Sequence, residues 1–97
     1  MITLHSIVES NGSAIRDLAA RHGARNIRVF GSVARGDADD RSDIDFLVDM
    51  EPGRSLLDLG GLLMDLRDLL GRSVDVVSEK ALRPSMRERV LREAIPL

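Results

Sequence analysis

The chain has 97 residues, with 43% hydrophobic and 31% charged side chains, the balance of one small globular domain over residues 1–97. It has no cysteine, which excludes disulfides and thiolate metal sites. A net charge of -2 and only two aromatic residues, Phe30 and Phe46, argue against a free-standing nucleic-acid binder, which needs phosphate-neutralising or base-stacking surface.

Met1–Asn11 lacks the basic-then-apolar order of a secretory leader. No run approaches the roughly 18 apolar residues of a membrane helix. A soluble cytoplasmic protein is expected. Leu4 to His22 reads as helical, with Leu4, Val8, Ile15 and Leu18 on one face. Gly12 costs about 1 kcal/mol in a helix interior, so the segment is one helix with a weak middle or two short ones. Gly23 suits its C-terminal end. His5 and His22 read as surface or capping residues of this segment.

Asn26–Phe30 is a short strand, with Ile27 and Val29 on one face and Arg28 and Phe30 on the other. Gly31-Ser32 ends it, and Val33–Arg35 begins a helical turn. Gly36–Ser42 is polar and turn-prone. Asp43–Asp49 is the clearest strand: Ile44, Phe46 and Val48 alternate with Asp43, Asp45 and Leu47. Asp49 and Glu51 close it at exposed positions, and Pro52-Gly53 breaks the pattern. Ser55–Leu70 is the strongest helix, capped by Ser55 and ended by Gly71. Its stripe comprises Leu59, Leu62, Leu63, Leu66, Leu69 and Leu70, while Asp58, Asp65, Arg67 and Asp68 face out. Gly60-Gly61 weakens this helix or permits close packing. Ser73–Ser78 is a third strand, and Ser85–Ala94 a last helix between Pro84 and Pro96. The order α-β-β-α-β-α gives an α/β (α+β) fold, a small mixed sheet backed by helices on one side. The leucine stripe and the tail Val90–Leu97 serve either the core or a partner interface.

Three carboxylates stand on strands, although aspartate is a poor strand former. Asp43 and Asp45 are two apart and share a face; Asp75 has the parity opposite Val74 and Val76. If their strands are neighbours, the three converge. Crowded like charges disfavour ionisation, and a divalent cation such as Mg²⁺, which prefers hard oxygen ligands, relieves this. Upstream, Gly31-Ser32 lets backbone N–H groups and a hydroxyl approach a phosphate. A phosphate grip beside metal-binding carboxylates is the equipment of phosphoryl or nucleotidyl transfer. Each element alone is bland: an Asp-x-Asp is commonly a solvated strand face, and a Gly-Ser a turn. Arg35, Arg41 and Arg54 are phosphate partners or surface residues.

Gly31-Ser32, ten residues, then Asp43-Ile44-Asp45 resembles the Gly-Ser-x10-Asp-x-Asp signature of the DNA polymerase beta-like nucleotidyltransferase superfamily. Phe30-Gly-Ser-Val-Ala-Arg-Gly-Asp with Ser42-Asp-Ile-Asp-Phe-Leu-Val resembles its small prokaryotic members, the minimal nucleotidyltransferases (MNT proteins), over nearly the whole chain. Ser73-Val-Asp-Val-Val resembles the strand bearing the third carboxylate. The resemblance implies that Gly31 and Ser32 hold the β- and γ-phosphates of ATP, with Arg35 and Ser42 also on the nucleotide side. It implies that Asp43 and Asp45 ligate two Mg²⁺ ions, and that Asp75 ligates the catalytic one and helps deprotonate the incoming hydroxyl. It further implies an antitoxin that moves AMP from ATP onto a tyrosine of a HEPN-domain ribonuclease toxin. With no base-recognition module and no room for a template, the acceptor is expected to come from that partner, without direct nucleic acid or membrane. The competing readings are an antitoxin that neutralises by binding alone and a small-molecule nucleotidyltransferase.

Overall fold

The computed structural model describes residues 3–97; the first two residues of the expected leaderless start, and of the 1–97 span, lie outside the described residues. The helical segment is two helices, α1 (Leu4–Ser10) and α2 (Gly12–Arg21). Thr3 caps α1 by exchanging hydrogen bonds with Ser6. The chain breaks at Asn11, whose Nδ2 donates to the Ile7 carbonyl at 2.8 Å. This local bond competes with helix continuation, the usual behaviour of asparagine.

Strand β1 (Ala24–Phe30) starts two residues earlier than expected. Its pairing shifts between Arg25 and Arg28, and Asn26 adopts φ 53°. This bulge hides the period-two signal at the strand's start. A short helix α3 (Gly31–Arg35) follows directly, then β2 (Ile44–Met50), α4 (Leu56–Leu70) and β3 (Val74–Ser78). A single 3-10 turn (Glu79–Ala81) leads to α5 (Pro84–Glu93), and a two-residue β4 (Ile95–Pro96) closes the order. The sheet runs β3-β2-β1-β4, with β2 parallel to β3 and β1 antiparallel to both β2 and β4. The expected α/β mixed sheet is therefore present, with β4 an addition. Proline cannot donate to a ladder, so Pro96 argued against a strand; here it occupies an edge.

Ile44, Phe46 and Val48 are fully buried on one sheet face, in a core shared with Val8, Ile15, Leu62 and Leu66 from α1, α2 and α4. The helices do not all lie on this side. Phe30 and Leu47 have the opposite parity and form a second apolar cluster with Val90 of α5. Two apolar side chains on that face need cover, and α5 supplies it. The tail is likewise structural: Val90 is buried, and the Leu97 N–H donates to the Ile27 carbonyl at 3.2 Å.

Ser55 caps α4 reciprocally with Asp58, and Gly71 ends it at φ 62°. The stripe is core at Leu62, Leu66 and Leu70, while Leu69 is exposed. Asp65, expected to face out, is half-buried with its Oδ2 2.6 Å from His22 Nε2. Gly61 makes room for that pair, since a Cβ there would stand 2.8 Å from His22 Cε1, whereas Gly60 has nothing within 4 Å. Asp49 is not a free exposed residue either. It accepts from Arg28 Nη2 at 2.9 Å, and Arg28 is the one charged residue buried among the described residues.

Candidate active site

Phe30 ends β1 in extended backbone and Gly31 turns the chain into α3 at φ 72°. A side chain at Gly31 would meet the Asp45 carboxylate, so this position needs glycine twice over, for its dihedral and for the space. Val33, buried in the main core, fixes α3, and Gly36 ends it at φ 83°. Ser32, the next residue, lines the same cavity as Asp45.

Asp45 sits opposite Phe30 on β1 and opposite Asp75 on β3 in the strand register. Directly registered neighbours project from the same face, so the Asp45 and Asp75 carboxylates stand side by side. Asp43, two residues before Asp45, lies just ahead of β2 and is exposed. The charges act on one another. The Asp45 carboxyl is pushed up to about 6, first by burial, then by Asp75 and Asp43, with Arg35 pulling weakly the other way.

Asp45 and Asp75 line a cavity of about 680 Å³ together with Gly31, Ser32 and Arg35. That volume falls within the range of small-molecule sites. Arg35 donates to Glu93 Oε2 at 3.1 Å and Asp37 Oδ2 at 3.3 Å, and the Glu93 bond is the larger cause of its raised pKa. Arg35 therefore ties α3 to α5 across the cavity rim. Ser42 is not among the lining residues: its hydroxyl accepts from the Asp39 N–H at 2.9 Å and closes the turn leading into Asp43. Arg54 is taken up by Glu51 and Asp58, and Arg41 is exposed. Sequence reasoning did not single out Arg83, Met86 and Arg89, which form the cavity's other wall. Their spacing of three, a helix ridge, was the available signal, but three exposed residues read as a solvated face.

Among the described residues, no three His, Asp or Glu side chains already stand close enough to enclose an ion. The donor set still fits a hard cation completed by ligands from outside the protein. Mg²⁺ binds through one or two carboxylates plus waters and substrate phosphates. The penalised charge of Asp45 is what such a cation would relieve.

The family model for the nucleotidyltransferase domain matches residues 13–97. The protein adenylyltransferase MntA of Thermococcus cleftensis is 41% identical over 95 residues, 98% of this chain and 96% of its own. A solved structure provisionally described as a minimal nucleotidyltransferase superposes with a TM-score of 0.87 at 54% identity, covering 96% of this chain and 95% of that one. A toxin–antitoxin crystal structure with AMP-PNP shares the fold at a TM-score of 0.76 and 23% identity, covering 89% of this chain and 71% of that one. The signature between Gly31 and Asp45, the sheet that brings Asp75 beside it and this run of relatives agree: the chain belongs to the nucleotidyltransferase family, among its minimal nucleotidyltransferases, and is a nucleotidyltransferase enzyme.

Proposed function

We propose that residues 1–97 act as one catalytic domain, a cytoplasmic Mg²⁺-dependent protein adenylyltransferase. In this reading the chain is an antitoxin that neutralises a HEPN ribonuclease toxin by transferring AMP from ATP to one of its tyrosine hydroxyls. The observation that carries the reading is the registered pair Asp45–Asp75 beside Gly31-Ser32 in one cavity. It is supported by the relative named as a protein adenylyltransferase and by the toxin–antitoxin structure with AMP-PNP that shares the fold.

Asp43, Asp45 and Asp75 would hold two Mg²⁺ ions together with the substrate phosphates, and the ions would supply charge neutralisation to the triphosphate. Gly31 and Ser32 grip the phosphates. Arg35, at the end of α3, braces that loop against Glu93 of α5, and Ser42 sets the turn that leads into Asp43. The tyrosine oxygen attacks the α-phosphorus and forms the new P–O bond. The bond to the bridging oxygen breaks, pyrophosphate leaves, and the phenolic proton passes to the Asp75 carboxylate. The cavity lacks an aromatic side chain apart from Phe30, which suits an acceptor brought by a second protein.

Incubating the protein with α-labelled ATP, Mg²⁺ and a candidate HEPN toxin, the neighbouring gene's product first, tests this. Label should appear on the toxin, vanish with chelator, and fall at least ~10³-fold in Asp43→Asn/Asp45→Asn. If that double variant still neutralises the toxin without label transfer, the protein acts by binding alone. Label on a small molecule and never on the toxin would overturn the protein acceptor.

A further inference from the structure

We propose that Arg83 and Arg89 form a guanidinium grip for the polyphosphate of the bound nucleotide. This rests on the nucleotidyl-transfer reading of the cavity and adds the cations that serve it. The cavity has three basic residues in its lining, Arg35, Arg83 and Arg89. Arg35 is already committed to Asp37 and Glu93. Among the described residues, Arg83 and Arg89 have neither an ion-pair nor a side-chain hydrogen-bond partner, although Asp45, Asp75 and Glu93 line the same space. Two uncommitted guanidinium groups in a cavity with a phosphate-approach loop suit an anion that enters from outside. Their planar forks match phosphate oxygens two at a time.

The wall that bears them is held in place. Arg83 is the N-cap residue of α5, Pro84 opens that helix, and Met86 and Arg89 continue the ridge. The preceding turn is pinned to the sheet where Arg28 Nη1 meets Glu79 Oε1 at 3.3 Å. Arg87 Nη1 adds a bond to the Glu79 carbonyl at 3.2 Å. Arg87 thus stabilises the wall, while its neighbours at 83 and 89 are left for a ligand. Val90, one position beyond Arg89, is fully buried and locks the rotation of α5. Met86, 37% exposed, sits between the two arginines in sequence and offers the apolar surface over which a nucleotide can lie.

Binding of ATP, tripolyphosphate and adenosine, each with Mg²⁺, is measured by calorimetry on the wild type, Arg83→Gln/Arg89→Gln and Arg92→Gln. Arg92 is an exposed residue of α5 outside the cavity lining and controls for net charge. The expected result is a loss of about tenfold or more for ATP and tripolyphosphate alike in the double variant, with adenosine and the Arg92→Gln protein unchanged. Arg83→Lys/Arg89→Lys should recover part of the loss, because charge is kept and the fork is not. Loss for ATP but not for tripolyphosphate means the ridge reads the nucleoside, and overturns the grip. An unchanged double variant overturns it as well, while leaving the nucleotidyl-transfer reading intact. A wild type that binds no nucleotide at all sinks both.

Discussion

Asp45 shows how a single side chain can work against the stability of its own fold. Its carboxyl titrates at about 6, above its ordinary value of 3.8, because burial and two neighbouring carboxylates oppose its charge. Between those values the folded chain keeps a proton that the unfolded chain has released. Stability therefore falls as pH rises through that window, and the deficit is complete above about 6. Asp45→Asn removes the charge and the dependence together. In metal-free buffer its Tm should exceed that of the wild type at pH 7.5 and approach it at pH 4, as read by thermal unfolding across the two. A gap that widens toward pH 4 has the wrong sign. At this scale the sequence was informative where period two applied: parity alone put Asp43 and Asp45 on one side and Ile44, Phe46 and Val48 on the other. It was silent on Arg28, because a buried arginine and a solvated one look the same until Asp49 and Glu79 are brought beside it.

Two adjacent glycines in α4 make opposite contributions. Gly60 faces open space, and replacing it with alanine should stabilise the helix by about 0.5–1 kcal/mol, the ordinary penalty of glycine there. A Cβ at Gly61 would stand 2.8 Å from the His22 ring, whose Nε2 lies 2.6 Å from Asp65. Gly61→Ala should cancel that gain or reverse it by displacing the ring. Chemical denaturation of the two variants side by side checks the contrast, and equal stabilisation of both refutes the role given to Gly61. The elements with a strong period, α4 and β2, were legible almost to their ends. The last helix, expected at Ser85–Ala94, lies within a residue of α5 at each end, but what depends on partners was not legible: β4 exists because β1 offers an edge, and the side of the sheet on which α5 packs is set by Phe30 and Leu47. Neither condition is written locally.

Across the molecule, the buried guanidinium of Arg28 joins the bulge of β1, the end of β2 and the turn after β3. Its Nε donates to the Asn26 carbonyl at 2.8 Å, and its Nη atoms reach Asp49 and Glu79. Both acids are partly exposed and can hydrate when abandoned. Arg28→Met, which keeps the aliphatic stem, should therefore cost about 1–3 kcal/mol, below the cost of stranding a fully buried charge. It should also raise the KM for ATP more than it lowers kcat, since the cavity wall loosens while the carboxylates stay. Denaturant titration and steady-state AMP transfer measure the two effects. A lowered kcat with unchanged KM would place Arg28 in the chemistry instead of its support.

The parallel pairing of β2 with β3 has a temporal consequence. Antiparallel β1 and β2 close over a short stretch of chain, but β3 can join only after all of α4 has crossed back over the sheet. Long-separated pairings form late because the entropy of loop closure is spent before any contact repays it. A chain whose β3 has not yet paired lacks the register that sets Asp75 beside Asp45. Under the proposed function nucleotide binding needs that register, so bound nucleotide would favour the completed fold by mass action.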